Sequence, residues 1–320
     1  MELIQVQIDA LREQLQPLND ATEPPPESAP LLAYYGLDFA QAFPHASLSM
    51  GWVASGEFDL ATYRWLQPGA TDTLLLVHGY LDHVGLFAHL IRFGLERGYN
   101  VLAFDLPGHG LSSGQRAGID DFSSYSAAIK DVLTASSLDQ QPLRVIAQST
   151  GGAALVDLAS CGPWPFEQTV LLAPLVRPAD WWQVRLMHTL AHRFIDDVPR
   201  KFAKNSTDLN FLERIQRDPM QSTRIQVNWV GALKRWLSGL EFRDLGVGPA
   251  LVIQGREDTT VDWRYNMRRI EELFPGSVIE YLPEAGHHLA NESERWRNLY
   301  LARIAAHFDQ SSLAAPGAQP

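Results

Sequence analysis

Short, nearly continuous apolar runs recur along the chain, and they limit the possible folds more than any other feature. They are residues 73–77, 100–104, 143–147, 169–173, 250–253 and 278–282. Such runs are typical of strands that are buried on both faces of a parallel sheet. Stretches of helical length separate most of them, and residues 58–65 alternate with the period of a half-exposed strand. The order of strands and helices predicts an α/β protein with an open, mostly parallel sheet.

This alternation stops between residues 174 and 245, where no good strand is visible. Apolar residues in this interval recur instead at the spacing of one helix face. They are Ile225, Trp229, Leu233, Trp236 and Leu240. A helical insertion of this size is typical of a cap over the edge of the sheet, and the alternative is that these helices extend the core.

We divide the chain into four parts: a catalytic domain, a cap inserted into it, an N-terminal extension and a C-terminal tail. We predict a catalytic α/β domain formed by residues 51–173 and 246–310, with the helical cap at 174–245 inserted into it. We predict an N-terminal extension over residues 1–50 with a short helix and a proline-rich linker, because consecutive prolines stop regular structure. Residues 311–320 are small and are predicted to form a flexible tail.

Composition excludes several classes of protein. The 320 residues include 26 Lys and Arg against 37 Asp and Glu, and this net charge of -11 argues against a dedicated nucleic-acid binder. No apolar run approaches the length of about 18 residues that a membrane span needs, and the first residues lack the features of a secretory signal. The single Cys161 allows no intramolecular disulfide, which agrees with a reducing compartment. We therefore expect a cytoplasmic protein.

A serine, an acid and a histidine follow three of the apolar runs, in that chain order. Ser149 comes after the run at 143–147, Asp258 follows 250–253, and His287 follows the last run. The carboxyl ends of parallel strands meet at one edge of a sheet, where ligands bind. A histidine can take the proton of a serine hydroxyl, and an acid can orient the imidazole and stabilise its charged form. This order predicts a Ser-His-Asp site with Ser149 as the nucleophile.

The residues around Ser149 have the form of a nucleophile elbow. Ala147-Gln148-Ser149-Thr150-Gly151 matches G-x-S-x-G with Ala at the first position, where the tight turn needs a small side chain. The backbone N–H of Thr150 is the first predicted donor to an oxyanion.

The second predicted oxyanion donor is the N–H of Tyr80, in the loop after residues 73–77. His78 and Gly79 then bring that backbone close to the site, and His78 can also fix the loop through a hydrogen bond.

The assignment of the base and the acid has rivals in the neighbouring sequence. His287 is preferred over His288 as the base because Gly286 directly before it allows a tight turn. Glu257 and Asp262 compete with Asp258 as the acid. All three carboxylates remain candidates for the acid that orients the histidine.

Together these blocks resemble the α/β-hydrolase fold, and within it the group of monoacylglycerol lipases and lysophospholipases, also described as serine aminopeptidase-like hydrolases. The resemblance covers roughly residues 60–308. The segments HGYLDH, DLPGHGLS, AQSTGG, GRED and GHHLANE carry it; they begin at residues 78, 105, 147, 255 and 286. They are similar to the group's oxyanion loop, D-x-x-G-H-G-x-S turn, nucleophile elbow, acid turn and histidine loop.

The resemblance favours Asp258 and His287 and implies a serine hydrolase of carboxylic esters without a metal or cofactor. The sequence departs from the group's pattern at several positions. Gln148 replaces the usual His or Tyr, Ala147 the first Gly of the elbow, and Leu81 a Gly of the oxyanion loop.

Residues 174–245 carry a charge opposite to that of the remaining chain. They hold 12 Lys and Arg against 8 Asp and Glu, and four of the nine tryptophans. Basic and aromatic side chains suit an anionic lipid surface or an acidic head group, whereas the alternative is a solvated helix face with Trp turned to the core. We therefore expect a small-molecule or lipid ester substrate and peripheral contact with lipid through the cap. The predicted substrate-binding residues are His78, Gly79, Gln148, Trp181, Trp182 and Trp229.

Three other interpretations remain. The triad alone does not distinguish an ester hydrolase from an aminopeptidase or amidase. A non-catalytic ligand-binding protein on the same scaffold would not need Ser149, Asp258 and His287 together. The histidine pairs lack the spacing of a metal site, so no metal is predicted. The oligomeric state is expected to be a monomer or a homodimer.

Overall fold

The computed structural model describes residues 5–138 and 141–312. An eight-stranded sheet forms its centre, with the spatial order β1-β2-β4-β3-β5-β6-β9-β10. Its strands are β1 (Ser47–Ser55), β2 (Phe58–Leu66), β3 (Thr73–Val77), β4 (Asn100–Phe104), β5 (Leu143–Gln148), β6 (Phe166–Leu172), β9 (Leu251–Gly255) and β10 (Val278–Leu282). Only β2 runs against its neighbours, so the predicted open and mostly parallel sheet is confirmed.

Helices cover both faces of the sheet. They are α1 (Gln5–Gln14), α2 (Ala29–Tyr35), α3 (Ala88–Glu96), α4 (Ser123–Ala135), α5 (Thr150–Cys161), α9 (Trp263–Leu273) and α10 (Glu294–Ser312). Alternate residues of β3 face opposite cores: Leu74 and Leu76 pack with α3 and α10, whereas Leu75 and Val77 pack with α4 and α5. Burial on both faces explains why the central strands are continuous apolar runs.

The strand β1 had not been predicted, because Ser49 and Gly51 interrupt its apolar pattern. It pairs with β2 along nine residues and extends the sheet beyond the predicted strands. A Cβ on Gly51 would lie 2.6 Å from the carbonyl oxygen of Gln16, so the segment after α1 approaches this strand closely. The sheet therefore begins within the predicted N-terminal extension.

The N-terminal helices pack on the body of the protein. Ile8 and Leu11 of α1 are buried in the same core as α3 and α10. The expectation that the proline-rich segment stops all regular structure was wrong beyond Pro25. A 3-10 turn at Pro26–Ser28 leads directly into α2, since proline is compatible with the first position of a helical turn.

Residues 174–245, called the insertion below, lie between β6 and β9. They contain α6 (Trp181–Ala191), β7 (Asp197–Pro199), α7 (Leu209–Ile215), β8 (Arg224–Gln226) and α8 (Val227–Gly239). The antiparallel pair of β7 and β8 had not been predicted. Each of these strands has only three residues, which is too short for an alternation of apolar and polar side chains to be recognised. Of the predicted helix face, Trp229 and Leu233 of α8 pack inward. Ile225 lies instead in β8, and Leu240 follows the end of α8 in an extended conformation, so the helix is shorter than predicted.

Most of the tail predicted for residues 311–320 lies outside the described residues. Within the part of the chain that the structure describes, no helix combines the length and apolar character that crossing a bilayer requires.

Candidate active site

Ser149 lies at the turn between β5 and α5. Its backbone has φ +51° and ψ -113°, a strained conformation that a non-glycine residue adopts only when its surroundings fix it. Its N–H donates to the carbonyl of Leu172 at 2.9 Å, and its own carbonyl accepts from Leu175 at 3.0 Å. A Cβ on Gly151 would lie 2.5 Å from the carbonyl oxygen of Val77. The requirement for a small residue two positions after the serine therefore has a direct steric cause.

The structure brings Ser149, His287 and Asp258 into one hydrogen-bonded chain. His287 Nε2 lies 2.9 Å from Ser149 Oγ, and His287 Nδ1 lies 2.8 Å from Asp258 Oδ2. All three residues are less than a tenth exposed. The other carboxylate oxygen of Asp258 accepts from the backbone N–H groups of Thr260 and Val261 at 2.8 and 3.1 Å. Asp258 is thus held in place from both sides.

Burial and pairing act in opposite directions on the acid and the base. Burial favours the neutral form of Asp258, but attraction to His287 and the hydrogen bonds it accepts outweigh burial and lower the pKa of this carboxyl. Burial also opposes a charge on His287, but attraction and hydrogen bonding to Asp258, with a weaker attraction to Asp82, raise the pKa of the imidazole. The pair therefore favours a proton on the histidine when one arrives from Ser149.

The other predicted acids and the other histidine lie in different surroundings, and Glu257 is exposed to solvent. Asp262 caps α9 by accepting from Tyr265 N at 3.2 Å and forms an ion pair with Arg177. His288 turns away from Ser149, and its Nε2 lies 3.0 Å from Asp82 Oδ1.

The loop that carries His287 is fixed by a buried carboxylate. Glu292 Oε1 accepts from the N–H of Gly286 at 2.6 Å, and Glu292 Oε2 accepts from the N–H of Thr207 at 2.9 Å. Glu292 is fully buried. A Cβ on Gly286 would lie 2.5 Å from the carbonyl oxygen of Asn205, which explains the glycine before the histidine. Glu292 therefore connects the histidine loop to the insertion.

The loop after β3 approaches Ser149 closely because it contains Gly79. A Cβ at this position would lie 2.9 Å from Asp82 Oδ2 and 3.1 Å from the Cβ of Ser149. Tyr80 and Thr150 both line the cavity beside Ser149. Thr150 is the first residue of α5, so its N–H has no partner within the helix. The residues of the two predicted oxyanion donors thus both lie at the cavity next to the serine.

His78 fixes this loop and does not reach the cavity wall. Its Nε2 accepts from the N–H of Leu106 at 2.9 Å, and its Nδ1–H donates to the carbonyl of Gly79 at 2.8 Å. Burial, with repulsion from His109, lowers the pKa of His78 to about 3, so the ring stays neutral in this arrangement. The structure therefore gives His78 the loop-fixing contacts that the sequence analysis considered for it.

Leu81 occupies the oxyanion-loop position where the resembling group has glycine. Its φ is +66°, in the left-handed region that favours glycine. The loop therefore keeps the glycine-like backbone conformation, and Leu81 adopts it at a cost in strain.

A cavity of about 270 Å³ opens beside Ser149 and His287. Its apolar wall includes Leu175, Val184, Ile225, Trp229, Val230 and Val261. The ring of Trp229 stacks on Tyr80 at 3.7 Å between centroids, and its Nε1–H donates to Tyr125 Oη at 3.1 Å. Trp229, predicted to bind substrate, therefore forms part of the wall and joins the insertion to the oxyanion loop.

The other predicted substrate-binding side chains lie outside this wall. Trp182 is 65% exposed on α6, and Trp181 packs against neighbouring apolar residues of the core. Gln148 is buried behind Ser149, where its amide donates to Asp82 at 3.2 Å and accepts from the N–H of Ala290 at 2.9 Å. Gly79 has no side chain to contact a substrate, and its role is to let the loop after β3 approach Ser149. Aromatic character alone did not indicate which tryptophans face the cavity.

Sequence reasoning missed Arg200 and Lys201, which line the same cavity. Both follow β7, a strand that is too short to be predicted from the alternation of apolar and polar residues. Asp82 was part of a quoted motif, but its contact with His288 was not expected, since 206 positions separate the two residues. The only available signal for the two basic residues was the positive charge of the insertion as a whole.

Comparison with known proteins identifies a family and several similar proteins. A protein-family profile described as "Serine aminopeptidase, S33" matches residues 69–294. Human monoglyceride lipase is 31% identical over 142 residues, which are 42% of this chain and 46% of the relative. A monoacylglycerol lipase of Mycolicibacterium smegmatis is 31% identical over 110 residues, which are 33% of this chain and 39% of the relative. The matched segments thus span less than half the length of these two relatives.

Solved structures show the same fold at low sequence identity. A soluble variant of monoglyceride lipase from Saccharomyces cerevisiae has a TM-score of 0.70 at 17% identity, covering 82% of this chain and 95% of the other. A monoacylglycerol lipase from Paleococcus ferrophilus has a TM-score of 0.63 at 20% identity, covering 78% of this chain and 99% of the other. The profile match extends over most of the chain and includes Ser149, Asp258 and His287. The chain therefore belongs to the serine aminopeptidase S33 family of α/β-hydrolases.

Proposed function

We propose that this protein is a serine hydrolase that cleaves carboxylic esters through an acyl-enzyme. The observation that carries the proposal is the hydrogen-bonded chain from Ser149 Oγ through His287 to Asp258, which ends at the cavity. A serine is a poor nucleophile until a base takes its proton, and His287 Nε2 lies at hydrogen-bond distance from the hydroxyl oxygen, 2.9 Å away. Four features thus meet at one place: nucleophile, base, orienting acid and cavity.

In the proposed reaction Ser149 Oγ attacks the ester carbonyl while His287 Nε2 accepts the hydroxyl proton. The N–H groups of Tyr80 and Thr150 donate to the developing oxyanion, and the positive end of α5 adds to this stabilisation. His287 then returns the proton to the leaving alcohol, and Asp258 stabilises the imidazolium between the two transfers. Water, activated by His287 in the same way, releases the acyl group and restores the serine.

The proposed substrates are esters with a hydrophobic acyl chain, as in lipase- and lysophospholipase-like enzymes. The apolar wall of the cavity and the names of the relatives support this class. A series of nitrophenyl esters of rising chain length, with a monoacylglycerol and a lysophospholipid, tests it. We expect kcat/KM to rise with chain length because each buried methylene contributes about 0.8 kcal/mol. Cleavage of acetate esters alone would contradict the proposed class.

The insertion is proposed to act as a cap that contacts a lipid surface through α6. No residue of α6 is buried; Trp182 and Leu190 in this helix are 65% and 64% exposed, and Phe194, just after its end, is 84% exposed. An amphipathic helix with exposed aromatic and basic side chains binds at a membrane interface. Phe194→Ser is expected to weaken sedimentation with anionic liposomes and to leave cleavage of soluble short esters unchanged. Val278→Ser, at a residue 58% exposed on β10, is the matched control, and an equal loss in both variants would contradict the assignment.

A second candidate function is an aminopeptidase, which the description of the matching profile favours. Such an enzyme needs an unengaged carboxylate in the cavity to bind the substrate amine. Asp82, in the oxyanion loop, is the carboxylate in the described wall of the cavity, and its two oxygens already accept from His288 and Gln148. Aminoacyl-naphthylamides in the substrate panel distinguish the two functions, and we expect esters to be preferred.

A further inference from the structure

Two basic residues of the insertion lie in the wall of the cavity, and the proposed reaction uses neither of them. Arg200 and Lys201 line the cavity together with Ser149 and His287. The guanidinium of Arg200 donates to the side-chain oxygen of Gln221 and to the carbonyl oxygen of Ser222. Both acceptors are uncharged. Among the residues that the structure describes, no ion pair joins Arg200 to a carboxylate.

The carboxylate in the same wall, Asp82, already has hydrogen-bond partners within the protein. Asp82 is 5% exposed, and its two oxygens lie 3.0 Å from His288 Nε2 and 3.2 Å from Gln148 Nε2. Asp82 and Asp218 attract Arg200 from a greater distance, but burial has the larger effect and lowers the pKa of the guanidinium. The described wall therefore contains two cations and one occupied carboxylate, and it carries an excess of positive charge.

An excess positive charge in a partly desolvated cavity has a consequence for binding. Charges interact more strongly there than in water, and a cation that lacks an anionic partner is unfavourable. The guanidinium group matches the geometry of a carboxylate or a phosphate and binds either through two parallel hydrogen bonds. An anion that enters the cavity would supply the missing partner.

We infer that the substrate is an ester that also carries an anionic group, a carboxylate or a phosphate, which Arg200 binds with the help of Lys201 while the ester carbonyl lies at Ser149. This inference rests on the proposed function and narrows its substrate class. The same charge disfavours a substrate with a free amine, as an aminopeptidase requires.

Two matched pairs of esters test the inference and distinguish the two anions. Monomethyl suberate, which ends in a free carboxylate, is compared with methyl octanoate. A 1-acylglycerol 3-phosphate is compared with the 1-acylglycerol of the same chain length. We expect the protein to prefer the charged member of at least one pair by about tenfold or more in kcat/KM, because a hydrogen bond to a charged group contributes that much. The pair that shows the preference identifies the anion.

Variants at the basic residues assign the preference to the cavity wall. Arg200→Gln is expected to lower kcat/KM for the charged ester by about tenfold more than for the neutral ester. Arg200→Lys is expected to keep part of the preference because it keeps the charge. Arg193→Gln removes an exposed arginine of the insertion that does not line the cavity, and it is the matched control. Circular dichroism and a thermal melt of each variant confirm that it is folded.

Fluorophosphonate labelling separates failure of this inference from failure of the proposed function. Labelling at Ser149 together with equal kcat/KM for charged and neutral esters would overturn the inference and leave the serine hydrolase intact. A charge preference that persists in Arg200→Gln would overturn the role of Arg200. Absence of labelling at Ser149 would instead contradict the proposed function on which the inference rests.

Discussion

The sheet edge around Ser149 and the insertion beside it differ in how firmly they hold their side chains. At the edge, Ser149, Asp258 and His287 are 7%, 6% and 6% exposed, and each has at least one hydrogen-bond partner at 3.0 Å or less. In the insertion, α6 has no buried residue, and Phe194 is 84% exposed. Chemical steps need groups in a fixed geometry, whereas recognition of varied substrates tolerates a looser surface. This difference agrees with the proposal that the reaction takes place at the sheet edge and that the insertion selects the substrate.

The largest expected effect comes from the acid at the sheet edge. Asp258→Asn keeps the size of the side chain but lets its amide donate to His287 Nδ1, which places the imidazole proton on the wrong nitrogen. We expect kcat to fall by about 10⁴-fold in an ester assay. Asp262→Asn, at the rival acid that caps α9, is the control and is expected to change kcat by less than about tenfold. A larger loss of kcat in Asp262→Asn than in Asp258→Asn would contradict the assignment of Asp258 as the acid and favour Asp262.

The pH dependence of the same reaction follows from the raised pKa of His287. The ring must be unprotonated at Nε2 to accept the proton of Ser149, so kcat/KM falls as the pH drops through the pKa of His287 in the free enzyme. Attraction to Asp258 and Asp82 raises this pKa against the effect of burial, and we expect a midpoint above the ordinary value of about 6.5. The residual activity of Asp258→Asn is expected to show a lower midpoint. An unchanged midpoint in this variant would contradict the pairing of His287 with Asp258.

A smaller effect is expected where the oxyanion loop approaches the serine. In Gly79→Ala the new Cβ would meet Asp82 Oδ2 at 2.9 Å and Ser149 Cβ at 3.1 Å, so the loop has to move away. A displacement of about 1 Å costs roughly 10²-fold in rate, and we expect a loss of that size in kcat. Gly239→Ala at the end of α8, where a Cβ meets nothing within 4 Å, is the matched control. Equal activity of the two variants would show that the loop does not supply an oxyanion donor.

The smallest effect concerns the contact that joins the insertion to the N-terminal helices. Asp218 of the insertion accepts from Tyr35 Oη of α2 at 2.7 Å and lies 3.1 Å from His83 Nε2. Tyr35→Phe removes a buried hydrogen bond to a charged group, so we expect the free energy of unfolding to fall by about 1.5–3 kcal/mol in a urea titration.

Tyr281→Phe, at an exposed tyrosine of β10, provides the comparison for this stability measurement. It is expected to change the free energy of unfolding by less than about 0.5 kcal/mol. Similar values for both variants would show that the contact of Tyr35 with Asp218 does not stabilise the fold.

The sequence predicted the sheet edge much better than the insertion, and the reason is physical. Buried parallel strands leave continuous apolar runs, and the strands Thr73–Val77 and Asn100–Phe104, which are buried throughout, were predicted with the bounds that the structure has. The bounds of Val278–Leu282 were also predicted, but this strand lies at the edge of the sheet and only its Leu282 is buried, so the expectation of burial on both faces was wrong there. Polar residues directly after such strands meet at one edge, so Ser149 and His287 could be placed near one another before any geometry was known.

Contacts between distant and irregular segments left no such pattern in the sequence. Arg200 follows a strand of three residues, and Tyr35 meets Asp218 across 183 positions. The sequence pattern also gave no indication of the side of α6 to which Trp182 turns.

Mass-spectrometric mapping of a fluorophosphonate adduct tests the central claim most directly. The probe reacts with a serine that is activated by a neighbouring base, so we expect one adduct, on Ser149, in the unmodified protein. The adduct should be absent in Ser149→Ala and present in Ser160→Ala, which changes a serine of α5 whose hydroxyl donates to the carbonyl of Val156 at 2.8 Å. An adduct on another residue, or the same adduct yield in Ser149→Ala, would contradict the assignment of Ser149 as the nucleophile.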